Sequence, residues 1–117
     1  MADPLYPTPT RELAARRKAL APEMLAAFDN FSRTVFAEGA LPVKMKQLIA
    51  LAVSHVTQCP FCIRAHTRAA KRHGASEEEM MEAIWVAAEM RAGAAYAHSL
   101  LAMDELRAMD ETAPKPG

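Results

Sequence analysis

Prolines and glycines divide this sequence into segments whose apolar residues recur every three or four positions, which is the period of an α-helix. The prolines stand where such segments begin and the glycines where they end, at Pro22, Pro42, Pro60, Gly39, Gly74 and Gly93. Proline is tolerated in the first turn of a helix, and glycine is favoured just beyond its last turn. No segment alternates apolar and polar residues with the period of two that marks a half-buried strand. The pattern therefore predicts an all-α fold.

The same pattern predicts about six helices within one domain. Their approximate ranges are 10–20, 22–39, 42–56, 60–73, 77–91 and 94–109. We expect a flexible lead at residues 1–9, a single helical domain at 10–110 and a flexible tail at 111–117. A chain of 117 residues has the usual size of one domain.

Three details describe the fifth predicted helix. Ser76 followed by Glu79 is the pattern of a capping box, in which the two side chains satisfy the first backbone amides of a helix. Trp85 belongs to the apolar stripe of this helix, so we expect it to pack in the core. Gly93 is expected to interrupt the helix and to separate it from the sixth.

Composition narrows the class of protein. Apolar residues make up 51% of the chain and aromatic residues only 6%, which suits helices packed through alanine, leucine and methionine. The 14 basic and 14 acidic side chains cancel, which argues against capture of nucleic acid or of an anionic membrane. Apolar runs such as 48–53 are too short to span a bilayer, and residues 1–10 lack the apolar stretch of a signal peptide. We therefore expect a cytoplasmic protein that binds neither nucleic acid nor membranes.

The two cysteines of the chain are separated by two residues, and His66 follows four residues after the second. In a helix that begins near residue 60, Cys59, Cys62 and His66 would share one face. A thiol at a helix N-terminus has a lowered pKa, and a neighbouring histidine can accept its proton. In a reducing compartment such a pair is more often catalytic, redox-sensing or metal-binding than structural. The spacing thus indicates a redox or nucleophilic site.

The spacing alone leaves two assignments of the attacking thiol open. Cys59 is nearer the helix N-terminus, whose positive end lowers the pKa of a thiol. His66 is one turn from Cys62 and two turns from Cys59, which favours Cys62 as the thiolate. His55 precedes Cys59 by four residues and would reach the pair if the turn between the two helices is tight.

The cysteine motif can also be read as a structural pair, a zinc site or a haem attachment site. Free cysteines are often buried, so the pair could be structural. Cys59, Cys62 and His66 supply three of the four ligands of a structural zinc site, and His55, His73 or a second subunit would have to complete it. Haem attachment requires histidine directly after the second cysteine, and isoleucine stands there, which excludes it.

Similarity to known proteins is carried by five segments, which are KQLIALAV at 46–53, CPFCIRAH at 59–66, GASEEE at 74–79, AIWVAA at 83–88 and GAAYAH at 93–98. Together they resemble the carboxymuconolactone decarboxylase and alkylhydroperoxidase D-like family over about residues 35–100. The resemblance implies an all-helical fold that assembles into trimers or hexamers. The helices at 48–56 and 80–90 also favour an oligomer, because their apolar faces are wider than one small core can bury.

The resemblance also implies roles for individual residues. In the peroxidase branch of the family, Cys62 would be the peroxidatic cysteine and Cys59 the resolving one. His66 would belong to a proton relay with a glutamate twelve residues before the first cysteine, and that position is Gln47 here. Because an amide cannot take up a proton, this relay cannot operate unchanged, and His55 is the candidate to replace the glutamate.

The leading hypothesis is a thiol peroxidase or thiol–disulfide oxidoreductase that uses the Cys59–Cys62 pair and needs no bound cofactor or metal. A peroxide would oxidise the pair, and an external dithiol, a dihydrolipoyl group or a thioredoxin-like protein, would reduce it. One alternative is a lactone decarboxylase of the carboxymuconolactone type, which has no need of paired cysteines. Another is a redox-sensing or metal-binding scaffold without enzymatic activity.

Overall fold

The computed structural model describes residues 5–112, in which it contains five α-helices and no β-strand. The helices are α1 (Arg11–Leu20), α2 (Pro22–Phe36), α3 (Val43–Thr57), α4 (Pro60–Arg72) and α5 (Glu77–Thr112). The prediction of an all-α fold is therefore confirmed. Residues 1–4 of the predicted lead and 113–117 of the predicted tail lie outside the described residues.

The helices begin where the sequence signals place them. The hydroxyl of Thr10 accepts a hydrogen bond of 3.2 Å from the amide of Leu13 and caps α1. Pro22 and Pro60 occupy the first turns of α2 and α4, and Pro42 immediately precedes α3. Proline is suited to these positions because the first amides of a helix have no partner within it.

The helix α5 also begins as predicted. The amide of Glu79 donates to the hydroxyl of Ser76 at 3.0 Å, and the amide of Ser76 donates to the Glu79 carboxylate at 2.9 Å, which completes the capping box. The same carboxylate forms an ion pair of 2.8 Å with Lys44 of α3. The Lys44 ammonium, and after it the Ser76 amide, lower the pKa of Glu79. The cap of α5 is thereby joined to the start of α3.

One prediction about α5 is wrong, because this helix runs through Gly93 without interruption and replaces two of the six expected helices. Glycine costs only about 1 kcal/mol in a helix relative to alanine, and Gly93 is surrounded by the strong helix formers Ala92, Ala94 and Ala95. A glycine ends a helix when it adopts the left-handed conformation. Gly74 does so after α4, with φ of 89°, whereas Gly93 keeps a helical backbone.

The core of the described chain lies where α3 packs between α4 and α5. Its buried apolar residues are Leu48, Leu51, Ala70, Ala75 and Met80, with Ala83 and Ile84 packed against them. At the other end of this contact, the guanidinium of Arg91 in α5 donates to the carbonyl of Val56, in the last turn of α3, at 3.0 Å. The central helix is thus held at both ends by side chains of α5.

A tight turn joins α3 to α4 and sets the direction of the site helix. Gln58 adopts the left-handed conformation, with φ of 58° and ψ of 46°, and ends α3. The amide of the next residue, Cys59, donates to the carbonyl of Ser54 at 3.1 Å. The same carbonyl also accepts from the amide of Gln58, so the turn is bonded back to the last turn of α3 and fixes Cys59 at the start of α4.

The single chain leaves much of its apolar surface exposed. Its radius of gyration is 21.8 Å, whereas a compact domain of this length would have about 13 Å. Helices α1 and α2 contain no buried residue, and Trp85 of α5, which the sequence pattern assigns to the core, is 67% exposed. The apolar faces of these helices are therefore not covered by other parts of the described chain.

None of the helices in residues 5–112 combines the length and the apolar character that crossing a membrane requires.

Candidate active site

The two thiols meet at the N-terminus of α4. Cys59 is the residue that caps this helix, and its sulfur accepts a hydrogen bond of 3.2 Å from the amide of Cys62. The two sulfur atoms lie 2.6 Å apart, so the thiols are in direct contact. Both cysteines are free thiols and are partly buried. The sequence prediction that both lie at the start of the helix ended by Gly74 is confirmed.

The surroundings move the pKa values of the two thiols in opposite directions. The thiol of Cys62, followed by its backbone amide, donates to the Cys59 sulfur and lowers the pKa of Cys59. The pKa of Cys62 is raised, first because its proton is held by Cys59 and then because of burial. Cys59 is therefore the thiol of the pair that ionises more readily, as the helix N-terminus favours.

His66 lies on α4 and pairs with a residue of α3. Its Nδ1 atom is 2.7 Å from the side-chain oxygen of Gln47. The ring of Phe36, the last residue of α2, stacks on the imidazole with ring centroids 5.3 Å apart and an angle of 26° between the planes. Burial lowers the pKa of His66, which favours the neutral imidazole. The structure thus joins the predicted relay position to the predicted histidine.

His55 lies in the last turn of α3, where its side chain forms a hydrogen bond with the backbone of the same helix. Its Nδ1 atom is 2.8 Å from the carbonyl of Leu51. Within residues 5–112 neither His55 nor His66 forms a hydrogen bond with a cysteine sulfur. The predicted site residues therefore form two pairs, Cys59 with Cys62 and Gln47 with His66, and His55 is hydrogen-bonded to neither pair.

The described residues do not gather the ligands of a metal ion. Within residues 5–112 no three side chains of histidine, cysteine, aspartate or glutamate lie close enough together to hold one. The zinc set considered from the sequence needs Cys59, Cys62 and His66 to converge, and these three side chains form no such group within the described residues.

An apolar cavity of about 430 Å³ lies beside the cysteine helix. It is lined by Pro7, Thr8, Pro9, Thr10, Leu13, Ala14, Arg17 and Phe61. Phe61 stands between the two cysteines in the sequence, and the ring of Tyr6 contacts its ring edge-on at 5.9 Å between centroids. The volume is within the usual range for small-molecule pockets. Sequence analysis missed this feature because it treats residues 1–9 as a flexible lead.

Phe36 is the other site residue that sequence analysis missed. The helical period places it in the apolar stripe of α2, which predicts burial but not a partner. Its position against His66 depends on how the end of α2 lies against α4, and the spacing of residues along the chain does not predict that packing.

Comparison with known proteins gives consistent matches across the helical region. Residues 22–105 match the model of the carboxymuconolactone decarboxylase family. The chain is 61% identical over 83 residues to uncharacterized protein 4 in the cox locus of Paracoccus denitrificans, a match that covers 68% of this chain and 75% of that protein.

Two solved structures have the same fold over most of their length. A protein from Methanobacterium thermoautotrophicum superposes with a TM-score of 0.68 at 37% identity, covering 71% of this chain and 93% of that one. A carboxymuconolactone decarboxylase family protein from Legionella pneumophila, in its apo form, superposes with a TM-score of 0.64 at 32% identity, covering 68% and 70%.

Proposed function

Because this chain belongs to the carboxymuconolactone decarboxylase family, we propose that it is one of the members that reduce peroxides with a pair of thiols. The observation that supports this function is the contact between Cys59 and Cys62, whose sulfur atoms lie 2.6 Å apart at the N-terminus of α4. Thiols in such contact can share a proton when reduced and form a disulfide when oxidised. A lactone decarboxylase needs neither property.

In the proposed cycle, Cys62 attacks the peroxide and Cys59 resolves the product. The Cys62 thiolate bonds to one peroxide oxygen, the O–O bond breaks, and the leaving alkoxide takes up a proton to become an alcohol. The Cys59 thiolate then attacks the sulfur of the resulting sulfenic acid. The S–O bond breaks, hydroxide leaves with a proton as water, and the Cys59–Cys62 disulfide remains. An external dithiol, a dihydrolipoyl group or a thioredoxin-like protein, returns two electrons and two protons.

The lowered pKa of Cys59 suits its role as the resolving thiol. Attack by Cys62 requires its proton to pass to Cys59 across the contact between the two sulfur atoms. Cys59 must then lose that proton before it attacks the sulfenic acid, and the backbone amide of Cys62, which still donates to the Cys59 sulfur at this stage, favours the loss. One shared proton therefore serves both steps, and the pair titrates as a unit.

His66 exchanges protons with the reacting groups through water, because its imidazole does not contact a sulfur atom directly. A neutral histidine can take the proton that a thiol releases and return it to the leaving alkoxide. The lowered pKa of His66 keeps the imidazole neutral and able to accept. His55, whose Nδ1 bonds to Leu51, is the second candidate for this exchange.

The cavity beside Phe61 favours a peroxide with an apolar body. Its lining by Leu13, Ala14 and Phe61 would hold a hydrocarbon group next to the cysteine helix, while Arg17 at its wall would suit a carboxylate on the same molecule. Hydrogen peroxide gains nothing from such a cavity.

Filling this cavity is expected to separate the two kinds of peroxide. Leu13→Trp should raise the KM for cumene hydroperoxide by roughly tenfold and leave that for hydrogen peroxide unchanged, because only the bulky substrate competes with the indole for space. Steady-state peroxide consumption with a dithiol donor measures both values, and hydrogen peroxide is the internal control. An equal effect on the two substrates would show that the cavity does not bind peroxide.

Thiol titration of the reduced wild-type protein tests the proposed activity itself. One equivalent of peroxide should remove two thiols per chain and yield an intramolecular Cys59–Cys62 disulfide that a dithiol reverses, because the cycle consumes both thiols for each peroxide. Peptide mapping by mass spectrometry identifies the bond. Thiols that survive excess peroxide, or that end in disulfides between chains, would contradict the proposal.

The exposed apolar surface supports assembly into a trimer or hexamer of this chain. Exposed large apolar side chains of α2 and α5 include Met24, Phe28, Phe31, Val35, Trp85, Val86, Met90, Tyr96, Leu100, Leu101, Met103, Leu106 and Met109. Soluble monomers rarely expose so many such residues together, and copies of the same helices offer surfaces of the same character.

A further inference from the structure

The side chain of Gln47 is unusual because it is a buried amide beside a histidine. It is 7% exposed, although glutamine is normally found at the protein surface. Burial of an amide is costly unless the group forms hydrogen bonds. The partner of its oxygen is Nδ1 of His66, at 2.7 Å, and this contact joins α3 to α4. The side-chain oxygen of Gln47 is therefore held by one nitrogen of the His66 ring.

The chemistry of this hydrogen bond fixes the proton on the histidine. An amide oxygen only accepts hydrogen bonds, so Nδ1 of His66 must be the donor and must carry a proton. A neutral imidazole has one such proton, which leaves Nε2 with a free lone pair. A carboxylate in place of the amide would also accept from Nδ1, but it would stabilise the charged imidazolium.

The other contacts of the ring keep it in this orientation without adding charge. Phe36 stacks on one face of the imidazole. Burial lowers the pKa of His66, and the ion pairs of residues 5–112 do not include its ring. The neighbouring cation of α3, Lys46, is held on the carbonyls of Val35 and Ala37 at the end of α2.

We propose that Gln47 is a positioning residue that holds His66 in the tautomer protonated on Nδ1, so that Nε2 alone exchanges protons at the thiol site. The assignment of the tautomer stands on the geometry, and its use in proton exchange depends on the proposed peroxidase function. The proton path ends at His66, because the amide cannot carry a proton further as a carboxylate could. The site therefore operates with a neutral histidine base.

The tautomer can be read directly by long-range ¹H–¹⁵N NMR on the reduced full-length protein labelled at histidine. We expect a protonated Nδ1 and an unprotonated Nε2 at His66 in the wild type. In Gln47→Met, which has similar size and no comparable acceptor, the two tautomers should mix. In Gln47→Glu, Nδ1 should stay protonated and the proton affinity of the ring should rise at least tenfold, since a carboxylate beside an imidazole favours its charged form.

Gln58 provides a matched control, because it is the only other glutamine in the chain and is exposed at the end of α3. Gln58→Glu should leave the tautomer and the proton affinity of His66 unchanged. A proton on Nε2 in the wild type, or an unchanged tautomer in Gln47→Met, would overturn the proposal. Thermal melting shows whether each variant folds, and a variant that is folded but altered in titration excludes a purely structural role.

The NMR experiment requires no peroxide, so it separates this inference from the proposed activity. If the protein does not consume peroxide, the NMR result still tests whether Gln47 sets the tautomer of His66. If it does, the pH profile of the reaction should follow the proton affinity of His66. The lower limb of that profile should move to higher pH in Gln47→Glu, because the base remains protonated up to a higher pH.

Discussion

Cys62→Ser is expected to reduce peroxide consumption by at least ~10³-fold, whereas Cys59→Ser should complete one turnover and stop with a sulfenic acid on Cys62. In the first variant the attacking sulfur is missing, and in the second the resolving sulfur is missing. Dimedone labelling and mass spectrometry locate the sulfenic acid. His66→Ala should still react but require a higher pH, because the proton released by the thiol then has no neutral imidazole to accept it. Trapping the sulfenic acid on Cys59 of Cys62→Ser would exchange the two roles.

The same two residues give a prediction about pH dependence. Hydrogen bonds from Cys62, its thiol first and its backbone amide second, lower the pKa of Cys59 and so increase its thiolate fraction at a given pH. Cys62→Ala removes the thiol donor, so the midpoint for alkylation of Cys59 should move to higher pH. Cys62→Ser keeps a hydroxyl donor and is the matched control, with a smaller displacement. Equal midpoints in the two variants would show that the side chain at position 62 does not stabilise the thiolate.

Light scattering should give a mass three or six times that of the 12.8 kDa chain. Trp85→Glu combined with Leu100→Glu places two charges on exposed apolar positions of α5. We expect these charges to dissociate the assembly and lower the melting temperature by more than ten degrees, because burying an unpaired charge is strongly unfavourable.

The control for the assembly is Asp110→Asn, a polar exchange near the exposed end of α5, which should change neither the mass nor the melting temperature. A wild-type protein that is monomeric at micromolar concentration would contradict the assembly. In that case the exposed apolar residues of α2 and α5 would need another partner.

Local features of this chain could be predicted from its sequence because their causes are local. The capping box of Ser76 and Glu79 and the start of α4 at Pro60 depend on neighbouring residues only. The place of the cysteines at a helix start follows in the same way. The expected break at Gly93 is absent because a glycine ends a helix only when its backbone turns left-handed, and the residues around Gly93 favour continuation of the helix.

The contacts that define the site chemistry could not be derived from spacing. Gln47 and His66 are nineteen residues apart on different helices, and their hydrogen bond depends on how α3 packs on α4. Helical spacing predicts that His66 lies on the same face as Cys62. In the structure, its Nδ1 atom forms a hydrogen bond with the side-chain oxygen of Gln47. The order of the two thiol pKa values likewise depends on which sulfur accepts the hydrogen bond, a matter of rotamers rather than of sequence.

The capping of α4 by a sulfur atom links the stability of this helix to the reduction potential of the thiol pair. In the reduced protein the sulfur of Cys59 accepts a hydrogen bond from the amide of Cys62 at the positive end of the helix, and this bond strengthens when Cys59 ionises. A disulfide sulfur is neutral and is a weaker acceptor, so oxidation removes part of this stabilisation. By thermodynamic linkage, whatever favours the reduced form raises the potential. The helix therefore makes the disulfide easier for an external dithiol to reduce.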